Sequence, residues 1–301
     1  MISGPVLAVS RTEANKITLL ALDNPEREIA TIAVTGKQPF GLAFDRTRQR
    51  LYAACWTSAE ILGIALSSLR KETSVPAPRL PAWATRREGA DEIWISNEGA
   101  GVVSILDTHT GKISDQIATG RGPSDIAFTA DGRYAWVTNE KDGNISLIDA
   151  GARRKIHDIR VGEVPQGIAV LNGGNRLLVA NFGSDSLSVV DTTELKELTQ
   201  IVVGRGPVDV VALGPEGSAR AWVTCFSEGT VAVIDLREQR RTQRIEIGGK
   251  PQGIETDPTG DRVYVCVREL NQIAVLNTEA PSAVLRRISM KGGPARMAVA
   301  L

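Results

Sequence analysis

The sequence contains few of the residues from which catalytic and metal-binding centres are usually built. Among its 301 residues there are only 2 histidines and 3 cysteines. A transition-metal site usually needs several nitrogen or sulphur ligands, so we expect no metal and no cofactor. No serine, histidine and aspartate arrangement typical of a hydrolytic triad is recognisable either.

The chain also lacks a charge excess and any long apolar segment. Lysine plus arginine and aspartate plus glutamate both number 35, so the formal net charge is zero. This balance argues against nucleic acid or an anionic membrane as a partner. No apolar run is long enough to span a bilayer, and the first residues do not have the pattern of a signal peptide. We therefore predict a cytoplasmic protein.

The chain is organised around a unit that residues 120–161 show most clearly. A glycine-rich turn leads through Pro123 into a short apolar run, and Asp131-Gly132 forms the next turn. A third turn lies at residues 142–144, and a fourth apolar run ends near Val161. Four short strands with turn residues between them form one small sheet. Such a sheet cannot bury both faces alone, so further copies are required.

Those copies are present along the whole chain. The proline after each glycine-rich turn recurs every 42 to 44 residues, as Pro39, Pro81, Pro123, Pro165, Pro207, Pro251 and Pro294. The second strand recurs with the pattern seen at 135–139 (AWVTN), and the third with the pattern at 145–149 (ISLID). Four strands per repeat at this period predict a β-propeller.

The two ends of the chain predict how the ring closes. The N-terminal segment supplies strands two, three and four of a blade, and residues after Pro294 supply one first strand. Together they complete a seventh blade and remove the open sheet edge, the closure known as velcro. We predict an all-β fold, a seven-bladed β-propeller with four antiparallel strands per blade. Residues 1–301 then form a single domain.

The second-strand motifs at 93–97 (IWISN) and 135–139 (AWVTN) resemble the YVTN family of seven-bladed propeller repeats. The resemblance extends over nearly all of the chain. It implies the fold but not the activity, because the family includes surface proteins, binding proteins and a few enzymes.

Two positions of the second-strand motif are expected to be structural. Its second residue is large in every copy, so Trp94, Trp136 and Trp222 are expected to pack between blades. Cys266 occupies a position that holds alanine, serine or threonine elsewhere and is expected to be inert core. Cys55 and Cys225 replace the motif asparagine, and we expect them to be more accessible.

The turns before strand one and after strand two of each blade should lie together around the mouth of the central channel. The residue just after the motif is, in blade order, Trp56, Glu98, Glu140, Phe182, Phe226, Arg268 and Arg11. The residue two after the proline is Gly41, Trp83, Asp125, Gly167, Asp209, Gly253 and Arg296. Both sets are candidate site positions.

These positions are grouped by charge. The second and third blades carry Glu98, Glu140 and Asp125, and the sixth and seventh carry Arg268, Arg11 and Arg296. Aromatic residues lie between the two groups, namely Trp56, Trp83, Phe182 and Phe226. The alternative is that the charges are solvated or paired locally, for example Arg121 with Asp125 and Arg205 with Asp209.

We predict a small-molecule site at the mouth. A ligand carboxylate would meet the arginines, a cationic or hydroxylated end would meet the acids, and an apolar body would lie on the aromatic rings. The candidate catalytic residues are Glu140, Asp125 and Glu98, since crowded carboxylates raise one another's pKa and can act as acid or base. The candidate ligand-binding residues are Arg296, Arg268, Arg11, Trp83, Trp56, Phe182, Phe226 and Asp209. The chemistry would be a cofactor-free lyase, isomerase, cyclase or hydrolase step on a carboxylate-bearing or zwitterionic metabolite.

Two other functions remain open. In the first, the same face binds a protein partner as a scaffold, with the charges setting its orientation. In the second, the chain is a lectin-like or wall-associated protein, which the missing signal peptide argues against. Residues 67–83 break the turn pattern with a proline-rich, charged stretch, and we expect function near them.

Overall fold

A computed structural model describes residues 4–25, 27–171, 173–214, 219–280 and 283–300. Within these residues the chain forms 28 strands, arranged in seven antiparallel sheets of four strands each. None of the described residues belongs to a helix that is long and apolar enough to cross a membrane.

The strands follow one another regularly along the chain. The N-terminal segment contains β1 (Val6–Arg11), β2 (Lys16–Ala21) and β3 (Glu28–Ala33). Blade 1 contains β4 (Pro39–Asp45), β5 (Arg50–Cys55), β6 (Glu60–Ala65) and β7 (Arg70–Pro76). Blade 2 contains β8 (Pro81–Arg87), β9 (Glu92–Asn97), β10 (Val102–Asp107) and β11 (Lys112–Ala118). Blade 3 contains β12 (Pro123–Phe128), β13 (Tyr134–Asn139), β14 (Asn144–Asp149) and β15 (Arg154–Arg160).

Blade 4 contains β16 (Pro165–Val170), β17 (Arg176–Asn181), β18 (Ser186–Asp191) and β19 (Lys196–Val202). Blade 5 contains β20 (Pro207–Leu213), β21 (Arg220–Cys225), β22 (Thr230–Asp235) and β23 (Arg240–Glu246). Blade 6 contains β24 (Pro251–Thr256), β25 (Arg262–Val267), β26 (Gln272–Asn277) and β27 (Val284–Ser289). Blade 7 joins β28 (Pro294–Ala300) to β1, β2 and β3.

The ring closes through blade 7. Strand β28 pairs antiparallel with β1, with Val6 opposite Ala300 and Leu7 opposite Val299. The first strands of the blades contact one another in a complete circle, in the order β4, β8, β12, β16, β20, β24, β28 and back to β4. The seven-bladed propeller and its velcro closure are therefore confirmed.

The large second residue of the motif packs between blades, as predicted. Trp94, Trp136 and Trp222 are at most 2 % exposed. Trp136 of blade 3 lies in one cluster with Ile168 and Leu177 of blade 4. Burial of such large apolar surfaces is the main contribution that holds adjacent sheets together.

The motif asparagine also has a structural role. The side-chain amides of Asn97, Asn139 and Asn181 donate to the serine hydroxyl seven residues later, at 2.9, 2.9 and 2.7 Å. These three serines are Ser104, Ser146 and Ser188. The bond joins strands two and three inside the blade, where an unpaired polar group would be costly.

The cysteines are buried within the blades. Cys55, Cys225 and Cys266 are all free and buried. The expectation that Cys55 and Cys225 are more accessible was wrong, because the motif asparagine that they replace points into the sheet and not toward the mouth. Burial raises the pKa of both the Cys55 and Cys225 thiols to about 12, so neither is a reactive nucleophile at neutral pH.

A β-bulge follows the proline that begins each first strand. In blade 3 the pairing register shifts between Pro123 and Ile126, and in blade 2 it shifts between Pro81 and Ala84. A bulge bends the strand and re-aims the side chains within it. The two residues after the proline can therefore both face the channel instead of alternating.

The irregular sequence at 67–83 has regular structure. Its residues form the outer strand β7, a short turn and the start of β8, as in the other blades. Only its last two residues, Ala82 and Trp83, contribute to the site described next.

Candidate functional site at the mouth of the channel

A pocket of about 270 Å³ opens at the mouth of the channel, and we call it the mouth pocket. The turns after strand two contribute Trp56, Glu98, Glu140 and Arg268. The starts of the first strands contribute the remaining lining residues, which are Phe40, Ala82, Trp83, Ser124, Gln166, Gln252 and Arg296. Residues far apart in sequence thus meet in one cavity because seven equivalent turns face the same opening.

Arg296 forms the floor of the mouth pocket. Its side chain crosses the channel, with the guanidinium carbon 3.7 Å from the centre of the Trp83 ring and 5.0 Å from that of Phe40. Its Nη1 lies 3.2 Å from Oδ2 of Asp209. The residue is only 5 % exposed. The backbone of β28 passes close to Gly253 in the preceding blade, where an added Cβ would lie 2.6 Å from the carbonyl oxygen of Ala295.

Glu140 is the acid that is best suited to proton transfer in the mouth pocket. Burial, together with repulsion from Glu98, raises the pKa of Glu140 to about 7. A hydrogen bond from Ser124 and the positive charges of Arg296 and Lys141 act in the opposite direction but do not cancel these effects. At neutral pH both protonation states of Glu140 are populated, which is the condition for general acid or base catalysis.

Glu98 and Arg268 complete the charged wall of the mouth pocket. Glu98 has an oxygen 3.6 Å from Nζ of Lys141, which is itself well exposed. The Nε of Arg268 donates to Oε1 of Glu13 at 3.0 Å. Solvent screens both contacts, so each holds its side chain only weakly.

Asp125 and Asp209 lie below Arg296 and connect blades. Oδ1 of each accepts from the amide of the following residue, and Oδ2 accepts from the next blade, from Ile168 at 3.0 Å and from Ile254 at 3.1 Å respectively. Burial and the neighbouring Asp209 raise the pKa of Asp125 to about 8. Neither carboxylate lines the mouth pocket, and neither pairs with the nearby Arg121 or Arg205. Arg121 pairs with Asp142 instead.

A second cavity of about 160 Å³ lies below Arg296 and leads toward the opposite face. Its lining includes Asp125, Asp209 and Glu255. Burial, together with the charge of Asp209, raises the pKa of Glu255 to about 7. Glu255 was not predicted, although the copies contain its signal. The residue four positions after the proline is, in blade order, Ala43, Thr85, Ala127, Ala169, Val211, Glu255 and Ala298. Glu255 is the one charged residue of this set.

Six of the predicted site residues are brought together in the mouth pocket, and five are not. The six are Trp56, Trp83, Glu98, Glu140, Arg268 and Arg296. Asp125 and Asp209 lie in the channel below. Phe182 and Phe226 contact each other with ring centres 6.4 Å apart and do not line the pocket. The fifth, Arg11, points elsewhere.

The placement of Arg11 in the mouth was wrong by one residue. Strand β1 ends at Arg11 as β9 ends at Asn97, so Arg11 occupies the position of the motif asparagine and Thr12 that of Glu98. Its Nη1 donates to the hydroxyl of Thr18, seven residues later, at 3.2 Å. Successive side chains of a strand point to opposite faces, so a shift of one residue directs the side chain away from the pocket.

Three further lining residues of the mouth pocket were not predicted from the sequence, namely Phe40, Gln166 and Gln252. They stand directly after the proline, where a regular strand would turn them away from the channel. The bulge reverses that expectation. Phe40 is an exceptional residue among the copies, and its contact with Arg296 explains why an aromatic ring is present.

The comparisons with known proteins agree with the fold. A model of the YNCE-like beta-propeller family matches residues 6–218, well over half of the chain. No curated protein matches the sequence. The YNCE-like match and the seven blades confirm the resemblance to YVTN-type repeats.

Solved structures are similar over most of their length at low identity. Hydrazine synthase of Kuenenia stuttgartiensis is 17% identical with a TM-score of 0.77, over 86% of this chain and 88% of that one. A functionally unknown protein of Desulfotomaculum acetoxidans is 13% identical with a TM-score of 0.81, over 99% of both chains. A "putative 6-phosphogluconolactonase" of Bacteroides uniformis is 14% identical with a TM-score of 0.83, over 99% of this chain and 100% of that one. Identities this low show a shared fold only. By the match of its repeats to the family model, the chain belongs to the YNCE-like β-propeller family.

Proposed function

We propose that the mouth pocket binds a small polar metabolite that is zwitterionic or bears a carboxylate. The observation that carries this proposal is the convergence of Glu98, Glu140 and Arg268 with Trp56 and Trp83 in one cavity of about 270 Å³. Concave sites with aromatic walls and a few charged groups are typical of small-molecule binding. The volume suits a ligand of metabolite size and not a folded partner.

Catalysis would depend on Glu140. With a pKa of about 7, this carboxyl could take a proton from the ligand or give one to it without a metal or cofactor. That chemistry fits a lyase, isomerase, cyclase or hydrolase step. Asp125 is a weaker candidate, because Arg296 lies between it and the mouth pocket and backbone amides occupy both of its oxygens.

A protein partner is the second candidate, and one observation favours it. Phe182 and Phe226 form a half-buried aromatic pair on the same face but outside the mouth pocket. Only a ligand larger than the pocket would contact that pair.

Two matched variants distinguish the candidates. Trp56→Ala removes a pocket wall, and Phe226→Ala removes the outer pair. A metabolite ligand, found by thermal-shift screening of the full chain, should lose at least tenfold affinity in Trp56→Ala and be unaffected by Phe226→Ala. Equal losses in both variants favour the protein partner, and a ligand insensitive to Trp56→Ala contradicts the proposed site.

A further inference from the structure

The basic groups of the mouth pocket are already engaged by the protein. Arg296 is paired with Asp209 and lies on the rings of Trp83 and Phe40. Arg268 uses its Nε for Glu13. A ligand carboxylate would therefore have to compete with internal partners for the guanidinium that is best placed to bind it.

The acceptors of the mouth pocket are much less engaged. Within the part of the chain that the structure describes, the one ion pair of Glu98 is with the exposed Lys141 at 3.6 Å. Glu140 accepts a hydrogen bond from the neutral Ser124. Two carboxylates that line one cavity and have few donors of their own favour a ligand that donates hydrogen bonds.

An aromatic surface lies beside these acceptors. The ring of Trp56 lines the same cavity, and no described cation or aromatic ring stacks on it. By contrast, Trp83 already carries the guanidinium of Arg296 at 3.7 Å. The free indole can contact either an apolar body or a cation.

We propose that the group recognised in the mouth pocket is a primary ammonium, held by Glu98 and Glu140 with the apolar part of the ligand on Trp56. This inference rests on the proposed function and names the chemical class of its ligand. An ammonium supplies three donors, which is enough to bond to both carboxylates. Charge-assisted hydrogen bonds of this kind are stronger than neutral ones.

Binding of an ammonium in the mouth pocket should depend on pH. An ammonium is held best by ionised Glu140, whose pKa is about 7 in the empty pocket. The charged groups that act on it are Glu98 in blade 2, Lys141 beside it and Arg296 across the channel. Binding should therefore release protons, and affinity should rise from pH 6 to pH 8, by up to about tenfold.

Three compounds of similar shape test the charge. Benzylammonium, benzyl alcohol and benzoate are titrated into the full-length protein by calorimetry. Benzylammonium should bind at least tenfold more tightly than the other two, with affinity rising between pH 6 and pH 8. Equal or tighter binding of benzoate or benzyl alcohol overturns the proposal.

Variants separate this proposal from the proposed function. Glu140→Gln should weaken benzylammonium at least tenfold and abolish the pH dependence, while the control Glu163→Gln, an exposed acid on the same face, should change neither. If Glu140→Gln folds poorly, the affinity of Glu98→Gln for benzylammonium tests the same site. Benzoate binding that is at least as tight as that of benzylammonium and is lost in Trp56→Ala would leave the pocket as the site but overturn the ammonium. Failure of all three compounds counts against both proposals.

Discussion

Arg296 crosses the central channel with its guanidinium between two aromatic rings and beside one carboxylate. A charge so deeply buried is tolerated because Asp209 lies 3.2 Å away and the ring faces of Trp83 and Phe40 carry negative potential. The Nε of Arg296 is nevertheless buried without a hydrogen-bond partner. The residue therefore closes the channel at some energetic cost.

Removing one partner of this buried pair should cost more than removing both. Arg296→Met leaves the Asp209 carboxylate buried without its counter-charge, so we expect a loss of about 3–5 kcal/mol in unfolding free energy. The double variant Arg296→Met with Asp209→Asn should recover part of that loss. Urea unfolding of the single and double variants measures the coupling between the two residues. Additive losses would show that the pair does not act as a unit.

The candidate site could be predicted from sequence only where the repeat fixes side-chain direction. Trp83 and Glu140 occupy repeat positions whose copies lie around the channel, and comparison of the copies was sufficient to place them there. Phe40 and Gln252 lie on a bulge, which depends on a hydrogen-bond pattern that residue types alone do not reveal. The pairing of Arg296 with Asp209 joins blades 7 and 5, and only coordinates show which side chains meet across a ring.

The strands of each blade are joined by a pair of residues that vary together. Three copies with the motif asparagine have serine seven residues later, as in Asn97 and Ser104. The copies with cysteine have apolar partners instead, namely Leu62 for Cys55 and Ala232 for Cys225. These five blades therefore contain two alternative ways to fill the same buried position, while blade 6 has Val267 with Ala274 and blade 7 has Arg11 with Thr18.

This covariation predicts the outcome of a double-mutant cycle in blade 2. Asn97→Cys leaves the Ser104 hydroxyl buried without its donor and should cost about 1–3 kcal/mol. Combining it with Ser104→Ala reproduces the arrangement of blade 5 and should cost less than the sum of the single changes. Chemical unfolding of the four proteins gives the interaction energy. A value near zero would mean that the hydrogen bond contributes nothing beyond packing.

At the scale of the whole molecule, the fold could be predicted almost completely. Proline spacing, turn residues and the two incomplete ends were sufficient for the blade number and the closure. The exception was the register of β1. The proline that begins the first strand of its blade, Pro294, lies at the other end of the sequence, so the residues of β1 could not be counted from it, and Arg11 was placed one residue out of register.

The ring buries carboxyl groups around its axis, and this should make stability depend on pH. The pKa is raised to about 8 for Asp125 and to about 7 for Glu140 and Glu255. Because these values exceed those of the unfolded chain, the folded state holds its protons more tightly. Stability from this source is fully present below the unfolded pKa of about 4 and is lost progressively as pH rises to the folded values of about 7 and 8.

We expect the unfolding free energy to be at least about 2 kcal/mol higher at pH 5 than at pH 8, since one unit of pKa shift corresponds to about 1.4 kcal/mol. Glu255→Gln removes one of the titrating groups and should flatten the profile. Denaturant unfolding across this range, with the exposed acid variant Glu163→Gln as control, measures the effect. Stability that rises toward pH 8 would be incompatible with these ionisations.

The position of benzylammonium bound in a crystal of this protein tests the central claim most directly. The nitrogen should lie within about 3 Å of carboxylate oxygens of Glu98 and Glu140, with its ring against Trp56. Density on the outer rim near Phe226, or in the lower cavity near Glu255, would contradict the proposed site.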